Sequence, residues 1–385
     1  MATALKKEHI RLRKKMASFA EQYIAPRDDL VSMEGFPHDI WKKMGEEKLL
    51  GVGLPEEYGG LGGNCLSIGV AGETLTRRGH NMGIAVSWLL HNALSRFMIM
   101  GFGNQEQCDT YLSSLAAGEI ILSIAVSEPG RGAQPKNLET SGYHNGNFHV
   151  LEGEKTYLTN GPIANLFLVV AITEVDGGRK RFTAFLVPKN TKGLSLTEPM
   201  KLDFFRPAPH GGIVLSHCSV PGSNILGREG YAYEEMVKPF REQEDILMLG
   251  PVVGCMERQL ELLLKLIEKN HVESTDAMKK NLGELRSIVH TLRIVAYEAA
   301  SMLDSPDEHP ELASLLISSR SLTKQFQDLY ESLIKRTAIE KDTHLYSITN
   351  DFAHSVNMGK NVTLIKQKKM GEVLLSRKED DEFAL

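Results

Sequence analysis

Cysteine is scarce in this 385-residue chain, and what is present is scattered. Cys65, Cys108, Cys218 and Cys255 lie far apart, with no C-x-x-C and no histidine beside them at metal-ligand spacing. A disulfide framework and a zinc site are therefore not expected, and a reducing cytosol suits the composition best. Positive charge is not in excess: 44 Lys and Arg face 49 Asp and Glu, a net charge of −5. A nucleic-acid partner would call for a basic stripe, and a membrane surface for a polybasic flank; neither is present. No run approaches the roughly 20 apolar residues that span a bilayer. The first 23 residues carry Lys and Arg but also Glu8 and Glu21, and they read as a surface helix rather than a leader peptide. The expectation is a soluble, cytoplasmic protein.

The chain is too long for one core, since cores stop growing at roughly 250–300 residues. Its texture changes twice, which sets the expected domains at 1–120, 121–228 and 229–385. In the first zone apolar residues recur at helical spacing, as in Ile40, Trp41, Met44, and in Ala85, Leu89, Leu90, Leu94, Met98. In the second, short apolar runs (121–126, 148–151, 166–173, 182–187, 213–215) alternate with turn clusters such as Tyr143–Asn147 and Asp176–Gly177–Gly178. That pattern implies an antiparallel sheet or small barrel. In the third, long apolar periodicities over 246–267, 288–303 and 312–339 require burial in a bundle and against other subunits. The expected class is α+β: a helical domain, a β-barrel or sandwich, and a four-helix bundle.

Segments at the joins carry more information. Gly53-Leu-Pro-Glu-Glu-Tyr-Gly-Gly-Leu-Gly62 and Leu115-Ala-Ala-Gly-Glu119 precede the β zone. Ser127-Glu-Pro-Gly-Arg-Gly132 and Glu154-Lys-Thr-Tyr-Leu-Thr-Asn-Gly161 follow strands within it, and Val220-Pro-Gly-Ser-Asn-Ile-Leu-Gly227 closes it. In this order and spacing the five segments resemble the acyl-CoA dehydrogenase family over nearly the whole chain. The resemblance implies an FAD-dependent dehydrogenase acting on the Cα–Cβ bond of an acyl-CoA thioester in fatty acid metabolism. A carboxylate takes the α-proton, hydrogen bonds stabilise the enolate oxygen, and the cofactor takes the hydride. It further implies electron transfer to an electron-transfer flavoprotein and a tetramer. Val126, Ser127 and Thr159 match flavin-contacting positions, and Tyr157 stands where the family usually has Trp against the isoalloxazine. Each also has an ordinary alternative: Ser127 as the start of a turn, Tyr157 as strand core, Thr159 in a β-turn.

The chain departs from the family pattern at two places. Where most members carry the catalytic Glu near the C-terminus, this chain has Met358-Gly359-Lys360-Asn361. Isovaleryl and long-chain types instead carry their Glu on a helix after the β domain, with Gly at the usual position. Here Glu244 matches that alternative position and Gly359 the vacated one, whose backbone N–H is retained. Acidic residues also crowd helix starts because the dipole favours them, so Glu244 has a second explanation. Asp245 replaces the usual Arg and sets a second negative charge beside Glu244, which favours the protonated carboxyl. The dinucleotide positions depart too. Lys279, Leu282 and His290 replace Arg, Phe and Gln; Ser332–Arg336 replaces a Gln-x-x-Gly-Gly turn; and Ala133, after Gly132, replaces a Ser. Lys279, Lys335 and Arg336 are the cations left for a pyrophosphate, the lysines as point charges rather than forks; a solvated helix face is the alternative. Two functions follow. One is an active dehydrogenase with Glu244 as base and a branched, cyclic or dicarboxylic acyl group. The other is a silent, flavin-poor subunit paired with an active paralogue, or a CoA-ester scaffold.

Overall fold

The structure, a computed structural model, describes residues 5–305, 307, 309–337, 343–357 and 360–376. Helices α1 (Lys7–Tyr23), α2 (His38–Glu46), α3 (Cys65–Gly79), α4 (Met82–Leu94) and α5 (Gln105–Ala117) come first. Strands follow: β1 (Leu122–Ala125), β2 (Ser141–Asn145), β3 (Phe148–Thr159), β4 (Leu166–Asp176), β5 (Arg179–Pro188), β6 (Leu194–Leu196), β7 (His210–Pro221) and β8 (Ile225–Leu226). Then come α6 (Lys238–Lys269), α7 (Asp276–Met302), α8 (Glu311–Thr337), α9 (Thr343–Asn357) and α10 (Lys360–Ser376). The α, β, α order is the one the sequence texture implies. By contact the chain divides into two compact units, one of residues 27–68 and 83–244, the other of residues 1–26, 69–82 and 245–385.

The first unit is built around a mixed sheet ordered β6-β7-β3-β2-β4-β5-β8, with β1 beside β4. Most pairs are antiparallel, but β1 and β2 each pair with β4 in parallel. The start of β4 is buried on both faces, which explains its unbroken apolar run. Phe167, Val169 and Ala171 join Leu151, Phe185, Ile213 and Leu215 in one core layer. Val170 and Ile172 face the other way, onto Val126, Leu138, Phe182 and Val237. The β4–β5 hairpin turns at Gly177 and Gly178, both at positive φ, as a two-residue I′ turn requires. The Tyr143–Asn147 cluster, read from sequence as a turn, is mostly strand. β2 runs to Asn145, and only Gly146 and Asn147 turn, because Gly146 alone supplies the positive φ.

Helices α2, α4 and α5 in the same unit lock together through buried polar groups. Trp88 Nε1 donates to the Leu49 carbonyl at 2.7 Å, and the Val52 N–H donates to Asn92 Oδ1 at 3.0 Å. The ring of His91 lies edge-on to Trp41, and its Nε2–H donates to the Leu115 carbonyl at 2.9 Å.

The second unit is helical, and α6 sets its geometry. Gly250 and Gly254 seat α6 backbone-to-backbone on α3: a Cβ at 250 would come within 2.4 Å of the Gly69 carbonyl oxygen, and one at 254 within 2.2 Å of that of Glu73. Beyond this contact runs a buried ionic network. Arg293 Nε donates to Glu73 at 2.9 Å, and Arg293 also bonds Glu257, which receives Arg286 Nη1 at 2.7 Å. Arg13 from α1 donates to the Tyr297 hydroxyl at 2.7 Å, and that hydroxyl donates to Glu73. Burial pushes the Glu257 carboxyl up, but Arg293 and its neighbours hold it below the usual range. On the other side of α6, Phe326, Tyr330 and Phe352 form an aromatic core between α8 and α9.

Among the described residues no helix is long and apolar enough to cross a membrane. All four cysteines are free and buried.

Burial lowers the His91 pKa from 6.5 to about 4. Between those values the unfolded imidazole takes up a proton that the folded one refuses, so stability falls as the pH drops. The loss expected from this residue is about 3 kcal/mol on going from pH 7 to pH 4. Urea unfolding of wild type and His91→Gln at both pH values measures it; the variant should show a shallower pH dependence.

Candidate active site

The end of β1 and the far end of β3 are held together by one buried ion pair. Lys155 points inward from β3, and its Nζ donates to the Val126 carbonyl at 3.0 Å and to Glu128 Oε1 at 2.9 Å. Glu128 also accepts the N–H groups of Glu139 at 2.7 Å and Thr140 at 2.8 Å. Burial raises the Glu128 carboxyl, but Lys155 and the Thr140 N–H hold it below its ordinary value. Burial lowers the Lys155 ammonium to about 8, with Glu128 opposing the shift. The Thr156 N–H donates to the Ser127 carbonyl at 2.8 Å, so the loop after β1 is stitched to β3 on both sides of the ion pair.

This loop carries four of the expected residues. Val126 is buried and Ser127 half-buried. The turn closes through Glu128 and Gly132, each N–H donating to the other's carbonyl, with Gly132 at φ +64°. Ala133 offers its carbonyl to the Tyr233 hydroxyl at 3.0 Å. On β3 the register with β7 slips between Lys155 and Leu158. Tyr157 lies in that slip at φ +58°, a region costly for an aromatic residue, and its ring is 65% exposed. It is not strand core. The bulge turns it off the sheet as a platform.

Two residues on, Thr159 Oγ1 lies 3.1 Å from His210 Nε2, and His210 Nδ1 lies 3.0 Å from the Ala208 carbonyl. A carbonyl only accepts, so Nδ1 carries the proton and Nε2 is the acceptor. The Thr159 hydroxyl therefore donates to His210, and its oxygen is left to accept from anything bound beside it. Burial keeps His210 neutral by lowering its pKa. Val126, Ser127, Gly132 and Ala133 thus lie on the loop after β1, and Tyr157 and Thr159 on the stretch of β3 that follows its ties to that loop.

The dinucleotide positions lie in the helical unit. Lys279, Leu282 and His290 share a face of α7 at spacings of 3 and 8 residues. Lys279 Nζ pairs with Asp276 at 3.3 Å, Leu282 is half-buried, and His290 and Lys335 are exposed. Arg336 is on α8, but its side chain lies outside the described ones.

Glu244 is half-buried on α6. The helix begins at Lys238, after a π-helical turn over Tyr233–Val237 and ahead of the acidic residues at 242–245. Glu244 is past the first turn, where the dipole no longer accounts for it. Asp245 pairs with Arg320 Nη2 at 3.4 Å, while Arg320 Nη1 donates to the Ser355 carbonyl at 3.1 Å. The charge beside Glu244 is thereby partly offset, and α6 is tied to the last turn of α9. Gly359 lies outside the described residues.

Sequence reading missed Lys155, Glu128, His210 and Arg320. The first two had a signal: a lysine at an inward strand position needs a buried partner, and a nearby carboxylate is the natural one. Arg320 had none, because its partners lie 75 and 35 residues away.

Family models described as "Acyl-CoA dehydrogenase, N-terminal domain" and "Acyl-CoA dehydrogenase, middle domain" match residues 6–119 and 123–218. The chain belongs to the acyl-CoA dehydrogenase family. Members are oxidoreductases that act on CH–CH donors. This acyl-CoA dehydrogenase relative is similar to the mitochondrial isovaleryl-CoA dehydrogenase of Solanum tuberosum: 31% identical over 276 residues, 71% of this chain and 65% of that protein. It is also similar to an acyl-CoA dehydrogenase of Bacillus subtilis (strain 168), at 31% over 58% of this chain and 59% of that one. The matched stretch thus spans less than two thirds of either relative. The butyryl-CoA dehydrogenase of Megasphaera elsdenii shares the fold with a TM-score of 0.86 at 19% identity, covering 97% of this chain and 100% of that one. The FAD complex of PigA shares it with 0.86 at 21%, over 98% and 100%. The prolyl acyl carrier protein oxidase AnaB has a TM-score of 0.82 at 26% identity, over 96% and 100%.

Lys155→Met leaves Glu128 buried without its counter-ion and should cost about 3–5 kcal/mol. The Lys155→Met/Glu128→Gln double variant, which removes the charge but keeps an acceptor for the backbone N–H groups, should recover much of that loss, as measured by urea midpoints. A double variant as unstable as the single would show that the pair is not the tie.

Proposed function

We propose that this chain is an FAD-dependent acyl-thioester dehydrogenase in which Glu244 is the base. The residues at the β1–β3 end fit an isoalloxazine. Tyr157 offers an exposed aromatic face on a backbone too strained for an ordinary strand position. Val126, Ser127 and the Gly132–Ala133 turn would border the ring, and the Thr159 oxygen, its own proton given to His210, would accept from a ring N–H. When bound, FAD supplies the acceptor for the hydride that leaves Cβ.

The chain's own part is the α-proton. Glu244 as carboxylate takes it, the Cα–H pair becomes the new C=C bond as the Cβ hydride departs, and backbone N–H groups hold the thioester oxygen, with that of Gly359 the expected donor. The observation that carries this reading is Arg320, which spans from Asp245, the neighbour of Glu244, to the Ser355 carbonyl at the end of the helix that runs towards residue 359. Arg320 thus ties the start of α6, where Glu244 stands, to the last turn of α9. Arg320 also partly offsets the charge of Asp245 beside Glu244.

Electrons then pass to an electron-transfer flavoprotein, in a cytoplasmic tetramer serving fatty acid metabolism. A CoA thioester is the primary substrate, and branched or small acyl groups head the candidates. A second reading, a flavin-poor subunit of a hetero-oligomer with a paralogue, is favoured by one contact. Lys279, expected to meet the pyrophosphate, is held by Asp276.

Purified protein should hold about one FAD per chain, bleached anaerobically by a saturated acyl thioester. The panel includes isovaleryl-CoA and a prolyl carrier protein, the substrates for which similar proteins are named. Glu244→Gln should keep the flavin and slow bleaching about 10²–10⁴-fold. Unchanged bleaching removes Glu244 from the mechanism. A colourless chain that gains flavin only on coexpression with a paralogue establishes the second reading.

A further inference from the structure

At the opposite end of β3 from Tyr157, three metal-binding side chains converge. His144 and His149 face each other directly across the β2–β3 hairpin, the arrangement that brings side chains on one sheet face closest. Glu229 arrives from the turn after β8, between Gly227 and Gly230, both at positive φ. The Gly230 N–H is fixed to Thr183 Oγ1 at 2.9 Å, which anchors that turn to β5. The three ligand atoms form a nearly equilateral triangle. His144 Nε2 lies 3.0 Å from Glu229 Oε1, His149 Nε2 lies 3.2 Å from the same oxygen, and the two nitrogens are 3.2 Å apart.

Hydrogen bonds alone do not account for this triangle. With Glu229 ionised, only the two imidazoles can place protons inside it. If both Nε2 atoms are protonated, two N–H groups stand side by side at 3.2 Å. If only one is, the other nitrogen turns a lone pair towards the carboxylate. Every assignment leaves one edge repulsive. A cation satisfies all three edges at once, because imidazole nitrogens and a carboxylate oxygen then point lone pairs at one centre. The dimensions agree. Tetrahedral ligands about 2.0–2.1 Å from zinc stand about 3.3–3.4 Å apart. An ion at that bond length would sit about 1 Å out of the plane of this triangle, with a fourth position left for water.

We propose that His144, His149 and Glu229 bind one divalent transition-metal ion of the zinc type, clamping the β2–β3 hairpin to the turn after β8. The site is built as well as convergent: His149 is 3% exposed and fixed against Phe185, while His144 and Glu229, 65% and 42% exposed, leave an entry path. It stands apart from the flavin end of the sheet, since eight residues of β3 separate His149 from Tyr157, about 25 Å of extended chain. The ion is therefore structural, and its presence does not depend on the dehydrogenase reading. His149 Nδ1 is buried with no hydrogen-bond partner among the described residues. Without a second group to orient that ring and raise its basicity, affinity should fall short of tightly supported sites.

Untagged protein, stripped with a chelator and dialysed, is titrated with Zn²⁺ in competition with a chromophoric chelator. One equivalent per chain should bind, and zinc should raise the thermal midpoint. His144→Ala, on the exposed arm of the hairpin, and Glu229→Gln should each weaken binding about ten-fold or more and abolish the thermal shift. Their unfolding without zinc should match or exceed that of metal-free wild type, since each also removes a repulsive edge. Absence of a saturable equivalent in the wild type overturns the proposal, as does wild-type affinity in both variants.

Discussion

The Lys155–Glu128 pair is the constraint on which the candidate site rests. Both groups are removed from water, so the pair is tolerable only because each also finds partners beyond the other. The lysine reaches a backbone carbonyl as well as its counter-ion, and the carboxylate collects two N–H groups. A pair so fully bonded fixes three segments at once: the end of β1, the loop that follows, and the strand from which Tyr157 projects. The exposed, strained Tyr157 is affordable in that setting because its neighbours on both sides are fixed.

Much of the fold was legible from periodicity. The switch from a spacing near 3.6 to short β-branched runs and back is a property of which faces are buried, and burial is what periodicity records. The Gly177–Gly178 hairpin was legible for the same local reason. β2 was not, because its sequence, Ser-Gly-Tyr-His-Asn, is written in turn residues, and only the ladder to β3 makes it a strand. The start of α6 carries no mark in the sequence, because Tyr233–Val237 winds as a wide π turn that continues into the helix without a capping side chain.

For the candidate site, residues within one motif could be read and residues joined across the chain could not. Ser127, Tyr157 and Thr159 fall in segments whose internal spacing is informative. His210, which dictates the direction of the Thr159 hydroxyl, comes from another strand. Arg320 is likewise invisible until α6, α8 and α9 are packed. The proposed His144–His149–Glu229 site lay outside the reasoning that led to no zinc site being expected. That reasoning weighed the cysteines, and Glu229 is 80 residues from His149.

The glycine contact between α3 and α6 has a consequence for how such enzymes change. A helix seated by side chains can rotate a few degrees and repack, but one seated by bare backbone has a single angular setting. Gly250 lies six residues after Glu244 on the same helix, so the backbone of α6 is indexed by a contact with no chemical role. Enlarging either glycine should therefore displace the helix as a whole rather than one side chain on it.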